Sequence, residues 1–215
     1  MMFKSACSIP RGMCCAMLLY GLAVAGPSLA EDKAAATAEH ADHSAHKAAA
    51  SKSDVRRSEA RYRVPAVKMV DQDGNKVVFN KEIDDGRPVI LNFVYTSCTA
   101  ICPVMTHIFV QVQNKLGKSL DKVHMVSVSI DPEYDTPARL LEFEEENGMG
   151  CQWDFYTGTS DASVAVQKAF EAYQGDKMNH LPLTLMRAAP GKPWVRLDGF
   201  ASPDMIVKEF RAITK

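Results

Sequence analysis

Two cysteines carry the strongest chemical signal in this sequence. Cys98 and Cys102 stand four apart in YTSCTAICPVM, where an apolar run gives way to an amphipathic one. If this segment winds into a helical turn, positions i and i+4 share a face, with Cβ atoms about 5–6 Å apart. Two sulfurs placed that way can converge on one ion or close a disulfide. A helix N-terminus favours the thiolate, which is both the nucleophile and the metal ligand. Pro103, directly after the second cysteine, suits the first turn of a helix. The plainer alternatives are two inert buried thiols or a structural disulfide. A pair at a strand–helix junction, in a chain with few other cysteines, favours a functional pair over both.

The elements that must position this pair are legible around it. VILNFVY (Val89–Tyr95) is a continuous β-branched and aromatic run, the pattern of a fully buried central strand. A helix is predicted from about Pro103 to Leu116, with Ile108, Phe109, Val112 and Leu116 on one face. KVHMVSVSI (Lys122–Ile130) reads as a second buried strand. Thr136-Pro137 opens a helix with a capping hydroxyl and a first-turn proline, and Gly148 closes it. A short strand at Trp153–Tyr156 and an amphipathic helix at Ser160–Tyr173 follow. Leu183–Met186 and Trp194–Leu197 form a hairpin, and Ser202-Pro203 starts a last helix reaching about Thr214. Ahead of all these, Val67–Val70 and Lys76–Phe79 flank an Asp-Gly turn, a second hairpin signal. This order predicts an α/β fold: a mixed sheet with helices on both faces, thioredoxin-like, with an added N-terminal β-hairpin. The pair then lies at the C-terminal edge of a buried strand, where open α/β sheets place their ligands. No internal repeat, Gly-rich phosphate loop or second domain is evident.

Composition narrows the function. The 215 residues carry 25 Lys+Arg against 26 Asp+Glu, which excludes a basic nucleic-acid surface and an acidic tail. At 47% hydrophobic the chain can build a core. Three of the six cysteines, Cys7, Cys14 and Cys15, fall in a leader: Lys4 and Arg11, then the apolar run Met13–Ala25, then Gly26-Pro27 and Ser28-Leu29-Ala30. A signal peptide over 1–30, cleaved after Ala30, is predicted. A retained anchor is the alternative, but a span needs about 20 apolar residues. No cysteine follows a lipobox-like run, so lipid attachment is not expected. The expected location is the periplasm. Residues 31–60 read as a flexible arm, rich in Ala and Lys and poor in apolar bulk. It carries His40, His43 and His46 at a strict spacing of three. Short histidine tracts bind transition metals, and imidazole suits copper, zinc and nickel. A solvated arm that merely contains histidine is the other reading. The folded domain is placed at 61–215.

PVILNFVYTSCTAICPVM (88–105), SVSIDPEYDTP (Ser127–Pro137) and Asn179-His180 ahead of a strand together resemble the Sco/SenC family. The resemblance covers roughly Val64 to Phe210. It implies a copper-binding, thioredoxin-fold protein that helps to assemble the CuA centre of cytochrome c oxidase. It makes Cys98 and Cys102 two thiolate ligands and His180 the third. Two thiolates and one imidazole suit copper, Cu(I) above all, with Cu(II) also admitted, and leave room for a partner's ligand. The implied partners are an apo copper enzyme, cytochrome c oxidase first, and a thioredoxin-like reductant that restores the thiols in an oxidising compartment. A monomer is expected. Most members of the family keep a membrane anchor, whereas this leader reads as removable. The histidine arm is not a shared family element.

Four further residues are singled out. Asp131 either orients a ligand or caps the next turn, the cap being favoured. Met105 can offer a thioether but on a helix reads as core. Pro182 stands two positions after His180, where thioredoxin-type reductases place a proline. It raises the alternative of a thiol-disulfide oxidoreductase acting on the target's cysteines. The three-residue gap between Cys98 and Cys102 argues against that, since thioredoxin motifs use two. A peroxide-reducing or redox-sensing protein is a weaker third reading. Cys151, near a helix end, is left without a role. A buried inert thiol is favoured over intermolecular pairing.

Overall fold

The computed structural model describes residues 55–215. The expected leader, its cleavage after Ala30 and the tract His40, His43 and His46 lie outside the described residues. One compact unit takes in all the described residues. Its strands are β1 (Arg56–Ala60), β2 (Lys68–Asp71), β3 (Lys76–Val78), β4 (Val89–Val94), β5 (His124–Ser129), β6 (Trp153–Gly158), β7 (Leu183–Arg187) and β8 (Trp194–Asp198). Its α-helices are α1 (Phe79–Ile83), α2 (Ile101–Leu116), α3 (Pro137–Glu146), α4 (Ser160–Ala169) and α5 (Pro203–Ile213).

The strands join one sheet in the order β1-β8-β7-β4-β5-β6-β2-β3. The apolar run VILNFV becomes β4 at its centre, buried along its whole length. Strand geometry splits that run between two cores, because successive side chains face opposite ways. Ile90 and Val94 join Phe109, Val112, Leu140, Ile206 and Phe210 beneath α2, α3 and α5. Val89, Leu91 and Phe93 join Phe79, Ile83, Val166 and Phe170 beneath α1 and α4. Helices therefore cover both faces of the sheet, as expected of a thioredoxin-like fold. β5 runs parallel to β4, Val89 opposite His124 and Val94 opposite Ser129, with α2 as the crossover. β7 runs antiparallel on the other side, Leu91 opposite Leu185. β2 and β3 pair antiparallel, Lys68 opposite Val78, across the turn at Gly74 (φ 84°).

Helix ends follow their chemistry. The Thr136 hydroxyl accepts from the Arg139 N–H, and the Ser202 hydroxyl accepts from the Met205 N–H. α3 closes on Gly148 at φ 63°. The amphipathic helix expected to reach Tyr173 stops at Ala169. There the Glu171 N–H donates to the Lys168 carbonyl and the Ala172 N–H to the Gln167 carbonyl, with Glu171 at φ 54°. This is a Schellman ending with a glutamate in place of the usual glycine.

The folded domain also begins earlier than 61. Arg56–Ala60, assigned to the flexible arm, is an edge strand antiparallel to β8, Arg56 opposite Asp198 and Ala60 opposite Trp194. Its sequence RRSEA has no apolar face, so it is held by ladder hydrogen bonds and ion pairs. Arg57 reaches Glu209 at 2.7 Å. A charged edge strand also discourages pairing with other chains.

Candidate metal centre

Three segments meet where β4 and β5 end. The chain leaves β4 through Tyr95 and the loop holding Cys98, and α2 starts at Ile101. Beside it, β5 leads into Ile130 and Asp131. On the other side, the antiparallel register brings the segment before β7, with His180, to the same sheet edge.

Cys98 and Cys102 are brought together. Cys98 precedes the helix and Cys102 is in its first turn, and the Cys102 N–H donates to Cys98 Sγ at 3.3 Å. Both are thiols in this structure, Cys98 half-buried and Cys102 buried. Their acidities diverge. Burial pushes the Cys98 thiol up. Hydrogen bonds from the Cys102 N–H, the Tyr95 hydroxyl and the Ala100 N–H outweigh that and bring it down to about 7. Burial pushes the Cys102 thiol up to about 12, and the neighbouring Cys98 adds to the rise. One sulfur is thus poised as a thiolate near neutrality while its neighbour holds its proton.

Tyr95 is a site residue that sequence reasoning passed over. It is buried, and its hydroxyl hydrogen-bonds Cys98, which with burial raises the tyrosine's own pKa. The same hydroxyl contacts Met178 Sδ at 3.7 Å. The Lys177 ammonium lies 5.7 Å from its ring centroid. The His180 ring stands edge-on to it, centroids 6.4 Å apart. The available signal was its position at the strand's last apolar step, three residues before Cys98.

His180 is buried. Desolvation lowers its pKa to about 4, despite a hydrogen bond to the Phe93 carbonyl that favours the charged form. Its Nε2 is buried without a hydrogen-bond partner. A neutral imidazole with an orphaned nitrogen is a ready ligand, since neutral imidazole binds metals. His180 is not gathered with the cysteines here. Among the described residues no three His, Cys, Asp or Glu side chains stand close enough to hold a metal ion.

Asp131 does something other than the favoured cap. Its backbone carbonyl accepts the Tyr134 and Asp135 N–H groups. Its carboxylate instead meets Lys177 Nζ at 2.5 Å, clipping the segment that carries His180 to the end of β5. Asp135, in the same DPEYDTP run, is the second residue that sequence reasoning missed. It is fully buried and accepts from the Thr96 N–H at 3.1 Å, the Thr96 hydroxyl at 2.6 Å and the Ser129 hydroxyl at 2.6 Å. Burial raises its pKa against those hydrogen bonds. Asp135 thereby fixes the start of the cysteine loop to β5. Met105 is core, 2% exposed. Cys151 is exposed rather than buried, because it falls in the turn between α3 and β6.

A thioredoxin-like sheet with an unequal dithiol at the end of its central strand, and a buried imidazole at the same edge, defines a thioredoxin-fold dithiol protein. The chain belongs to the SCO1/SenC family, whose model matches residues 56–214. The SCO1 protein homolog of Bacillus subtilis (strain 168) is 33% identical over 114 residues, 52% of this chain and 58% of that protein. The matched stretch thus spans less than two thirds of that relative's length. Among solved structures, BsSco, a member of the Sco family of cytochrome c oxidase assembly proteins in which a disulfide switch was identified, superposes with a TM-score of 0.62. It is 26% identical, over 73% of this chain and 96% of that one. ScoI of Bradyrhizobium japonicum with copper bound gives a TM-score of 0.57 at 22% identity, over 68% of this chain and 96% of that one.

Proposed function

We propose that this protein is an exported copper chaperone. Cys98, Cys102 and His180 together hold one copper ion and release it by ligand exchange to an apo copper enzyme, such as the CuA site of cytochrome c oxidase. The observation that carries this reading is the donor set at one sheet edge: a low-pKa thiol, an adjacent second thiol and a neutral imidazole with an orphaned Nε2. Two thiolates and an imidazole are soft to borderline donors that suit Cu(I). Three donors also leave a position open for the recipient's ligand. Binding requires Cys102 to lose its proton, because metals take the thiolate. It also requires the His180 segment to close on the thiols. The leader, removed after Ala30, would deliver the protein to the periplasm as a soluble monomer. The tract His40, His43 and His46 would gather copper for the site. A thioredoxin-like reductant would keep Cys98 and Cys102 reduced.

The unequal thiols also favour a second reading, a thiol-disulfide reductase. The Cys98 thiolate attacks a target disulfide and displaces one target thiolate. Cys102 then attacks Cys98 Sγ, frees the second target thiol and leaves a Cys98–Cys102 disulfide. Two electrons pass to the target, and the external reductant returns them. His180 separates the readings. In His180→Ala, a chaperone loses most of its copper affinity, whereas a reductase keeps its rate with a disulfide substrate.

A further inference from the structure

The segment that carries His180 bears one more soft donor. Of the described methionines, Met69, Met105, Met125 and Met186 are buried and Met149 and Met205 are half-buried. Met178 alone is exposed, at 72%. Large apolar side chains at such exposure are common enough singly. This one is distinguished by where its sulfur rests. Met178 Sδ accepts from the Tyr95 hydroxyl at 3.7 Å, and that same hydroxyl lies close enough to the Cys98 thiol to perturb it. The thioether and the candidate thiolate therefore border the same hydroxyl.

The backbone beneath Met178 is fixed. Its N–H donates to the Asp176 carboxylate at 2.9 Å, and the Asn179 N–H donates to the Asp176 carbonyl at 3.0 Å. Lys177, on one side, is clipped to Asp131. The side chain above this turn is unbranched and adaptable, and its sulfur is polarizable. His180 is placed differently: its Nε2 is closed off from solvent. An ion arriving from solvent meets the half-buried Cys98 and the exposed Met178 before it can meet the imidazole.

We propose that Met178 is an entry ligand for Cu(I), forming an all-sulfur site with Cys98 and Cys102 before His180 engages. This rests on the copper reading above. As the ion binds, the two thiols give up their protons to solvent and three Cu–S bonds form. When the imidazole arrives, the Cu–Nε2 bond forms and the Cu–Sδ bond breaks, with no change in oxidation state. Thioether and thiolate donors are the set that selects Cu(I).

The test uses the full chain, reduced and anaerobic, titrated with Cu(I) against a chromophoric Cu(I) chelator. His180→Ala isolates the entry site, and Met178→Leu keeps volume and apolarity at an exposed position. The double variant should bind Cu(I) at least tenfold more weakly than His180→Ala alone. In His180→Ala, where the ion stays on the entry site, the 13C-labelled methyl of Met178, assigned by its loss in the double variant, should shift during Cu(I) addition and stop shifting at one equivalent. A ratio under twofold, or a methyl that does not move, overturns the proposal. If the wild type takes up no Cu(I), the copper reading itself fails and this inference with it. A wild type that binds Cu(I), with the methyl unmoved in copper-loaded His180→Ala, sinks only the entry ligand.

Discussion

The amide N–H of Cys102 points at Cys98 Sγ across 3.3 Å. This contact makes two chemically identical side chains unequal. It favours a negative sulfur at Cys98, and that charge in turn raises the cost of a second one at buried Cys102. With Cys98 brought to about 7 and Cys102 pushed to about 12, the pair holds one proton between those two values.

Alkylation should report this directly. Iodoacetamide should modify Cys98 with a midpoint near pH 7, while Cys102 reacts only well above that in the native protein. Mass spectrometry of pulse-labelled peptides gives both rates. Tyr95→Phe removes one hydrogen bond to Cys98 and should move its midpoint upward. Equal rates at the two cysteines at pH 7.5 would contradict the asymmetry.

Asp135 should be a stability anchor. Its removal in Asp135→Ala leaves the Thr96 N–H, the Thr96 hydroxyl and the Ser129 hydroxyl without their acceptor. Stranded buried donors cost about 1–3 kcal/mol each, partly recovered by relaxation and water, so a loss of about 3 kcal/mol is expected in urea unfolding. A loss below about 0.5 kcal/mol, the usual surface range, would show that the cysteine loop is held by something else.

Most of the frame was legible because it rests on local chemistry. VILNFVY announces a buried strand through its β-branched run, and Thr136-Pro137 and Ser202-Pro203 announce caps. β1 was not legible, since RRSEA carries no apolar alternation and becomes a strand only because β8 offers its edge. The helix at Phe79–Ile83 was not legible either, since Phe79 reads as the end of the Lys76–Phe79 strand. In the site, Cys98 and Cys102 stood out by spacing, while His180 came through family resemblance alone. Asp135 and the Asp131–Lys177 clip depend on contacts across 39 and 46 residues, which no local pattern encodes, and Tyr95 reaches Met178 across 83.

Glu144 offers a pH test away from the site. Burial and the neighbouring charge of Asp73 push its carboxyl up to about 7, and its Oε2 lacks a partner. The folded state then holds a proton that the unfolded state has already released above the ordinary carboxyl range. The stability this contributes is full below about pH 4.5 and is lost as pH rises through 7. Glu144→Gln should therefore stabilise the protein relative to wild type at pH 8 and leave it near wild type at pH 5. Denaturation midpoints at the two pH values check this, and a pH-independent difference would refute it.

His180 gives the opposite slope. Its folded pKa of about 4 lies below the ordinary histidine value, so between about 6.5 and 4 the unfolded state binds the extra proton. Stability should fall on acidification through that window by up to about 3 kcal/mol. His180→Gln should remove that part of the slope. Parallel curves for wild type and His180→Gln from pH 7 to 4 would mean that the imidazole is not held neutral by burial.

The most direct measurement is a Cu(I) titration of the reduced protein under anaerobic conditions, with wild type, Cys98→Ser, Cys102→Ser and His180→Ala side by side. A copper site of two thiolates and one imidazole predicts one copper per wild-type chain, loss of tight binding in either serine variant, and a weakening of at least tenfold in His180→Ala. Wild-type affinity retained in Cys98→Ser or in His180→Ala would contradict it.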